Sequence, residues 1–198
     1  MKKLLVAAAA MAISTGAMAG PSWTYVDLGV VIGDGSTANG GEDTSGLNLR
    51  GSFGLGDLWH IQANVSAFET GGGKSEEGGA DITTYGLRGG LHPAVTDDAQ
   101  FVLDIGYQGG EAKNNANESV KLKPSLYDIR GGYRQNIGAL ELRGFIQYAR
   151  IDTDDGVKTW DIIPSLGIQY NFSDAWSVGA DTFLEDDNLT DLYVRWSF

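Results

Sequence analysis

The chain contains no cysteine among its 198 residues. Disulfide staples, thiolate nucleophiles and cysteine-ligated metals are therefore excluded. Histidine is nearly absent too, with two residues, and proline has four. Positive charge is scarce: 14 Lys and Arg stand against 26 Asp and Glu, a net charge of -12. That balance argues against nucleic-acid binding, which needs a basic surface. No apolar run reaches the roughly 20 residues that a membrane-spanning helix requires. The run from Leu4 to Ile13 is only about half that length, so a helical membrane protein is not expected.

That short run has another reading. Lys2 and Lys3 precede it, and Ala17-Met18-Ala19 follows with a small-x-small pattern. Charge, apolar core and cleavage site in this order predict a signal peptide over residues 1–19, removed on export. One domain is then expected over residues 20–198. Loss of Lys2 and Lys3 takes its net charge from -12 to -14.

What the remaining sequence does have is alternation. Leu47, Leu49, Gly51, Phe53 and Leu55 interleave with Asn48, Arg50, Ser52 and Gly54. Ile61, Ala63, Val65 and Ala67 interleave with His60, Gln62, Asn64 and Ser66. Period two marks strands with one apolar and one polar face. Such runs predict strands near 22–33, 46–56, 59–68, 81–91, 100–109, 125–135, 139–150, 159–172, 176–184 and 189–198. Most are close to the roughly 9–11 residues of a tilted membrane strand. The predicted fold is all-β: a transmembrane up-and-down antiparallel β-barrel of ten strands. Eight is the alternative, should one hairpin be misread. Pro164 lies inside the eighth run and cannot donate to a ladder. A bulge or local kink there, or a strand that ends earlier, is expected.

The connections alternate in length. Asp57-Leu58, Asn136 to Gly138, and Ser173 to Ala175 are tight, and His92 to Ala99 is a longer turn. Segments 34–45, 69–80, 110–124 and 151–158 are long and polar, while Glu185 to Asn188 is a short exception. At the short-turn end stand Trp59, Phe101, Tyr133, Tyr170, Phe172, Trp176, Trp196 and Phe198; near the long-loop end stand Tyr107, Tyr127, Tyr148 and Trp160. Two aromatic belts on the apolar faces match a membrane barrel.

Charge is sorted as well. Lys74, Lys113, Lys121, Lys123 and Lys158 all fall in proposed long loops. Arg50, Arg88, Arg130, Arg134, Arg143 and Arg195 fall on polar strand faces, as do Asp27, Asp104, Asp128, Glu141, Asp181 and Asp191. These twelve residues form the candidate site, a lumen charge network. Arg makes planar, multidentate pairs that survive partial burial, which suits a closed lumen. Approximate register puts Arg134 opposite Glu141, and Asp27 at the height of Arg50.

Two stretches carry a family resemblance. Leu87 to Tyr107, LRGGLHPAVTDDAQFVLDIGY, reads as strand–turn–strand, and Leu166 to Gly179, LGIQYNFSDAWSVG, reads as a late hairpin. Leu192, Val194, Trp196 and Phe198 follow at spacing two in the closing LYVRWSF. The chain resembles small Gram-negative outer-membrane β-barrel proteins of the broad OmpA/OmpX-like group. The resemblance implies location in the bacterial outer membrane, with short turns in the periplasm and long loops outside. It implies that Leu192, Val194, Trp196 and Phe198 are a C-terminal signal read by the barrel-assembly machinery. The partners expected are outer-membrane lipids and lipopolysaccharide; no nucleic acid is expected, and the state expected is a monomer.

No catalytic set can be assembled. His60 and His92 both fall at the short-turn end, and no Ser-His-acid group forms around them. His60 is expected to be a solvated or paired lumen residue and His92 a plain turn residue. Asp152, Asp154 and Asp155, and Glu185, Asp186 and Asp187, are acidic clusters without calcium-loop spacing, so solvated loop charge is expected and no metal or other cofactor. The inward charges nearly balance, with Asp161 a further acid near the mouth. A lumen largely filled by side chains is expected, with a structural or surface-interaction role for its acidic loops. The alternative is a narrow passive channel, since Gly54, Ser66, Gly86, Gly90, Gly106 and Gly132 are small inward positions.

Overall fold

A computed structural model of the chain describes residues 22–33, 43–71, 80–114, 121–154, 156–184 and 188–198. The leader expected over residues 1–19 lies outside them. So do most of segments 34–45 and 69–80, part of 110–124, Asp155, and the cluster Glu185, Asp186 and Asp187.

Ten strands form the wall: β1 (Tyr25–Gly33), β2 (Thr44–Leu55), β3 (Trp59–Thr70), β4 (Ala80–Leu91), β5 (Ala99–Asn114), β6 (Ser125–Ile137), β7 (Leu140–Asp152), β8 (Lys158–Asn171), β9 (Trp176–Phe183) and β10 (Leu189–Ser197). Each pairs antiparallel with its chain neighbours, and β1 pairs with β10 from Tyr25↔Ser197 to Gly33↔Leu189, so the sheet closes. Two short segments, Ala94–Thr96 and Lys121–Leu122, pair with the two ends of β5. The tight turns lie at one end, here the turn end, and the long connections at the other, the loop end.

The alternation becomes an inverted molecule. Ile105 is 68% exposed and Ile146 63%, whereas Asp27 and Asp104 are 0% exposed. Apolar side chains cover the outside and polar ones fill the inside. A row of exposed Leu, Ile, Val and aromatic residues on every strand is the surface a barrel turns to lipid.

Two turns need left-handed glycine: Gly56 has φ 67° and Gly138 φ 62°. The second shortens the β6–β7 hairpin to Gly138-Ala139, with Ile137 paired to Leu140. This corrects the expected register. Arg134 lies opposite Arg143, and Glu141 lies opposite Asn136.

Pro164 introduces neither a bulge nor an early end. β8 runs through it, with Pro164 in register with Ile146 of β7. The reason is geometric. The Pro164 carbonyl accepts from the Leu184 N–H at 2.8 Å, so its backbone faces β9, where the ladder stops at Ser165↔Phe183. The missing N–H thus falls at the end of that ladder, where proline is tolerated. Two residues on, the Ile162 N–H donates to the Asp161 carboxylate at 2.7 Å, which blunts the same edge.

Candidate functional site: an ion-paired lumen

Strand parity turns all twelve candidate residues inward, and the structure joins them in three groups. The largest crosses the lumen. Arg134 holds Glu141 through two hydrogen bonds of 3.1 and 2.9 Å. Glu141 also meets Arg143 at 3.2 Å, and Arg143 donates to Asp181 at 2.7 Å. Asp181 meets Arg50 at 3.3 Å, Arg50 donates to Asp27 at 2.9 Å, and Arg195 grips Asp27 at 2.7 and 2.9 Å. Charges thus alternate without a break from β6 through β7, β9 and β2 to β1 and β10.

Two rungs of this network are like-charged. Arg134 faces Arg143, and Asp181 faces Asp191. Like charges directly opposite destabilise a ladder. Here each pair is bridged by the opposite charge. Glu141 contacts both arginines, and Arg50 reaches Asp181 and, at 3.6 Å, Asp191. Asn48 adds a 2.7 Å bond to Asp191, and the Tyr193 hydroxyl accepts from Arg143 and donates to Gln169.

The second group joins Asp104 to Arg130, whose guanidinium lies 4.4 Å over the Phe145 ring and reaches Gln62 at 3.5 Å. Gln62 donates to the Tyr25 hydroxyl at 2.8 Å. The third is Arg88 with Asp128, at 2.9 and 3.0 Å.

At the turn end the lumen has a floor that strand alternation did not foretell. Trp23, just before β1, is buried inside the barrel. Its ring stacks on His60 at 3.8 Å and on His92 at 4.6 Å, and Arg134 lies 4.4 Å over it. Its indole N–H donates to Gln100 at 2.8 Å. Of the two readings of His60, solvated or paired, the structure gives the paired one, with Nε2 3.0 Å from Asp104 but poorly aligned for a hydrogen bond. His92 is not a plain turn residue. It is 3% exposed, donates from Nε2 to the Trp59 carbonyl at 3.0 Å, and burial pushes its imidazole below the usual 6.5. The available signal was parity: His92 continues the even-numbered inward row of β4 past the strand end.

The inward glycines are occupied space. A Cβ at Gly86 would meet Asn64, at Gly90 Asp104, at Gly106 Asp128, at Gly132 Phe145, and at Gly167 Asp181 and Arg143, each closer than 3.0 Å. Side chains from neighbouring strands lie over these positions. Gly54 is covered by Trp23 at 3.3 Å. Among the described residues, no group of three His, Cys, Asp or Glu is arranged to hold a metal ion.

Leu192, Val194, Trp196 and Phe198 share the outward face of β10 and its end; Trp196 contacts Trp176 at 6.5 Å and Phe198 at 4.6 Å.

The family described as outer membrane protein beta-barrel domain matches residues 5–182. No curated protein matches the chain. Among solved structures, the KdgM porin is 11% identical, with 88% of this chain and 99% of that one covered, at a TM-score of 0.47. The outer membrane protease OmpT from Escherichia coli is also 11% identical, with coverage of 88% and 96% and a TM-score of 0.49. An OmpT loop-deletion mutant, an outer membrane protein of Vibrio cholerae, is 16% identical, with coverage of 90% and 60% and a TM-score of 0.38. Two of these are a porin and a protease; at such identities neither activity carries over.

Proposed function

The chain belongs to the outer membrane protein β-barrel family, and from that premise we propose that it is a non-enzymatic barrel with a closed lumen, acting through its surface and loops. One observation carries the reading: the unbroken alternation of charges from Arg134 to Arg195, which spans the lumen. Unpaired buried charge is costly, so such a set holds itself together and fills its space. The proposed orientation sets the turn end and both chain ends in the periplasm and the long connections outside. Residues 1–19 act as the export leader in this reading. The outward row Leu192, Val194, Trp196 and Phe198 is offered to the assembly machinery. The folded partners are outer-membrane lipids and lipopolysaccharide, and the barrel works as a monomer.

A narrow passive channel for ions or small polar solutes is the second reading. The Arg50 and Arg88 side chains keep 18% and 22% exposure, so water reaches parts of the lumen. Planar-bilayer recording on purified protein decides between the two. A closed barrel gives no steady steps, and Arg50→Ala or Arg130→Ala raises conductance. Steady, salt-dependent steps from the unaltered protein would establish the channel instead.

A further inference from the structure

Six of the seven arginines point inward; Arg150 is the exception. It sits near the loop end of β7, in register with Tyr127 of β6 on one side and Trp160 of β8 on the other. Parity puts it on the outward, lipid-facing side, together with Tyr148, Asp152 and Lys158. A cation on this face is expensive inside hydrocarbon and tolerable only near the interface. Its surroundings are ordered. Tyr148 and Trp160 stack at 5.2 Å with an interplanar angle of 14°, and the Arg150 guanidinium lies 5.4 Å over the Trp160 ring. Asp152 holds the Nε and Nη2 edge at 2.8 and 2.7 Å. Asp152 thereby fixes the guanidinium plane and leaves the Nη1 edge for another oxyanion. Lys158 stands across the ladder from Asp152.

The seam side of the wall differs, whereas β4 and β5 also carry Tyr85, Tyr107 and Lys113 outward. On β9, β10 and β1 the outward residues at the same end are Thr182, Leu184, Thr190, Val30 and Ile32, without an aromatic ring or a cation. In a chain of net charge -12, the lipid-facing side of β7 and β8 thus holds two cations against Asp152 beside paired aromatic rings. Asp154, in the turn beyond, is exposed and screened by solvent.

We propose that Arg150 and Lys158, framed by Tyr127, Tyr148 and Trp160, bind the phosphate group of a phosphorylated glycolipid in the outer leaflet. The cations take the phosphate, and the flat aromatic faces receive the adjoining sugar ring. A phosphate delivered by the membrane, rather than by solution, fits a site on the lipid-facing side. The inference rests on the orientation proposed above and is independent of whether the lumen conducts.

The test uses the full folded barrel in detergent micelles. The probes are lipid A with both phosphates, the same lipid with its phosphates removed, and inorganic phosphate, read by native mass spectrometry. Bisphosphorylated lipid A should be retained, and the dephosphorylated form should bind at least tenfold more weakly. Arg150→Gln with Lys158→Gln should lower retention at least tenfold, and Arg150→Lys should restore part of it. Equal retention of the two lipids, or an unaffected double variant, overturns the proposal. Displacement by inorganic phosphate at concentrations matching the lipid also overturns it, in favour of a soluble anion. Folding of each variant is checked by heat-modifiable gel mobility; the two-lipid comparison on unaltered protein stands if a variant fails to fold. Because the chain has no cysteine, Asp154→Cys provides a single label. Failure of that label in intact cells would refute the orientation itself, distinguishable from failure of lipid binding.

Discussion

At the scale of single residues, the lumen is a set of debts settled between strands. Arg50 touches three acids from β1, β9 and β10 at once. Replacing it with Ala leaves Asp181 and Asp191 facing each other without their bridge. Breaking a buried pair by removing one partner is destabilising by about 3–5 kcal/mol. Arg50→Ala is therefore expected to lose stability of that order in denaturant unfolding from detergent, whereas Arg88→Ala, which leaves one acid unpaired, should lose less. His92 gives a pH dependence of definite sign. It lies in the turn after β4, outside the spans, and its folded imidazole is held below 6.5 by burial. Above 6.5 both states are neutral there, and His92 contributes nothing to the slope. As pH falls below 6.5 the unfolded chain takes up a proton that the folded one resists, so stability declines with acid. His92→Gln should flatten the unfolding midpoint between pH 6.5 and 5; an unchanged slope would remove His92 as its source.

At the scale of elements, strand ends decide what a substitution does. Pro164 lacks a donor where the β8–β9 ladder already stops. Pro164→Ala is expected to change stability by less than about 1 kcal/mol, while Gly138→Val, which forces a β-branched residue to φ 62°, should cost about 1–2 kcal/mol. Equilibrium urea titration of the two variants checks both. Strand number, facing and belts were legible in the sequence, because period two writes inside and outside directly into Leu47 to Leu55 or Leu140 to Tyr148. Which inward residues meet was less so. Asp27↔Arg50 follows from a single hairpin and was readable. Arg50 with Asp181, 131 positions apart, requires knowing how the sheet closes. Arg134 slipped from its expected rung because Gly138 tightens the turn by an amount that alternation does not record. Trp23 escaped for another reason. Its odd number puts it on the inward row with Tyr25 and Asp27, but its stacking on His60 and His92 joins segments that alternation does not bring together.

At the scale of the whole molecule, two obstructions lie in series along the barrel axis. One is the charged span centred on Arg50 and Arg143; the other is the Trp23, His60 and His92 floor. Resistances in series add, so removing one leaves the other limiting. Trp23→Ala alone and Arg50→Ala alone should each raise bilayer conductance slightly. The double variant should exceed the product of the two single effects. Simple addition of the two single gains would mean the two do not lie on one path.

The pair Arg195–Asp27 has a further meaning once its position is considered. Its residues share a rung of the β1–β10 seam, the one ladder that joins strands distant in sequence. A one-residue slip there would turn Arg195 toward lipid, and a two-residue slip would strand Asp27 without its two-pronged partner. The seam therefore proofreads its own alignment. A cylinder zipped shut on the wrong tooth loses this pair, so the seam's charges favour the correctly threaded barrel.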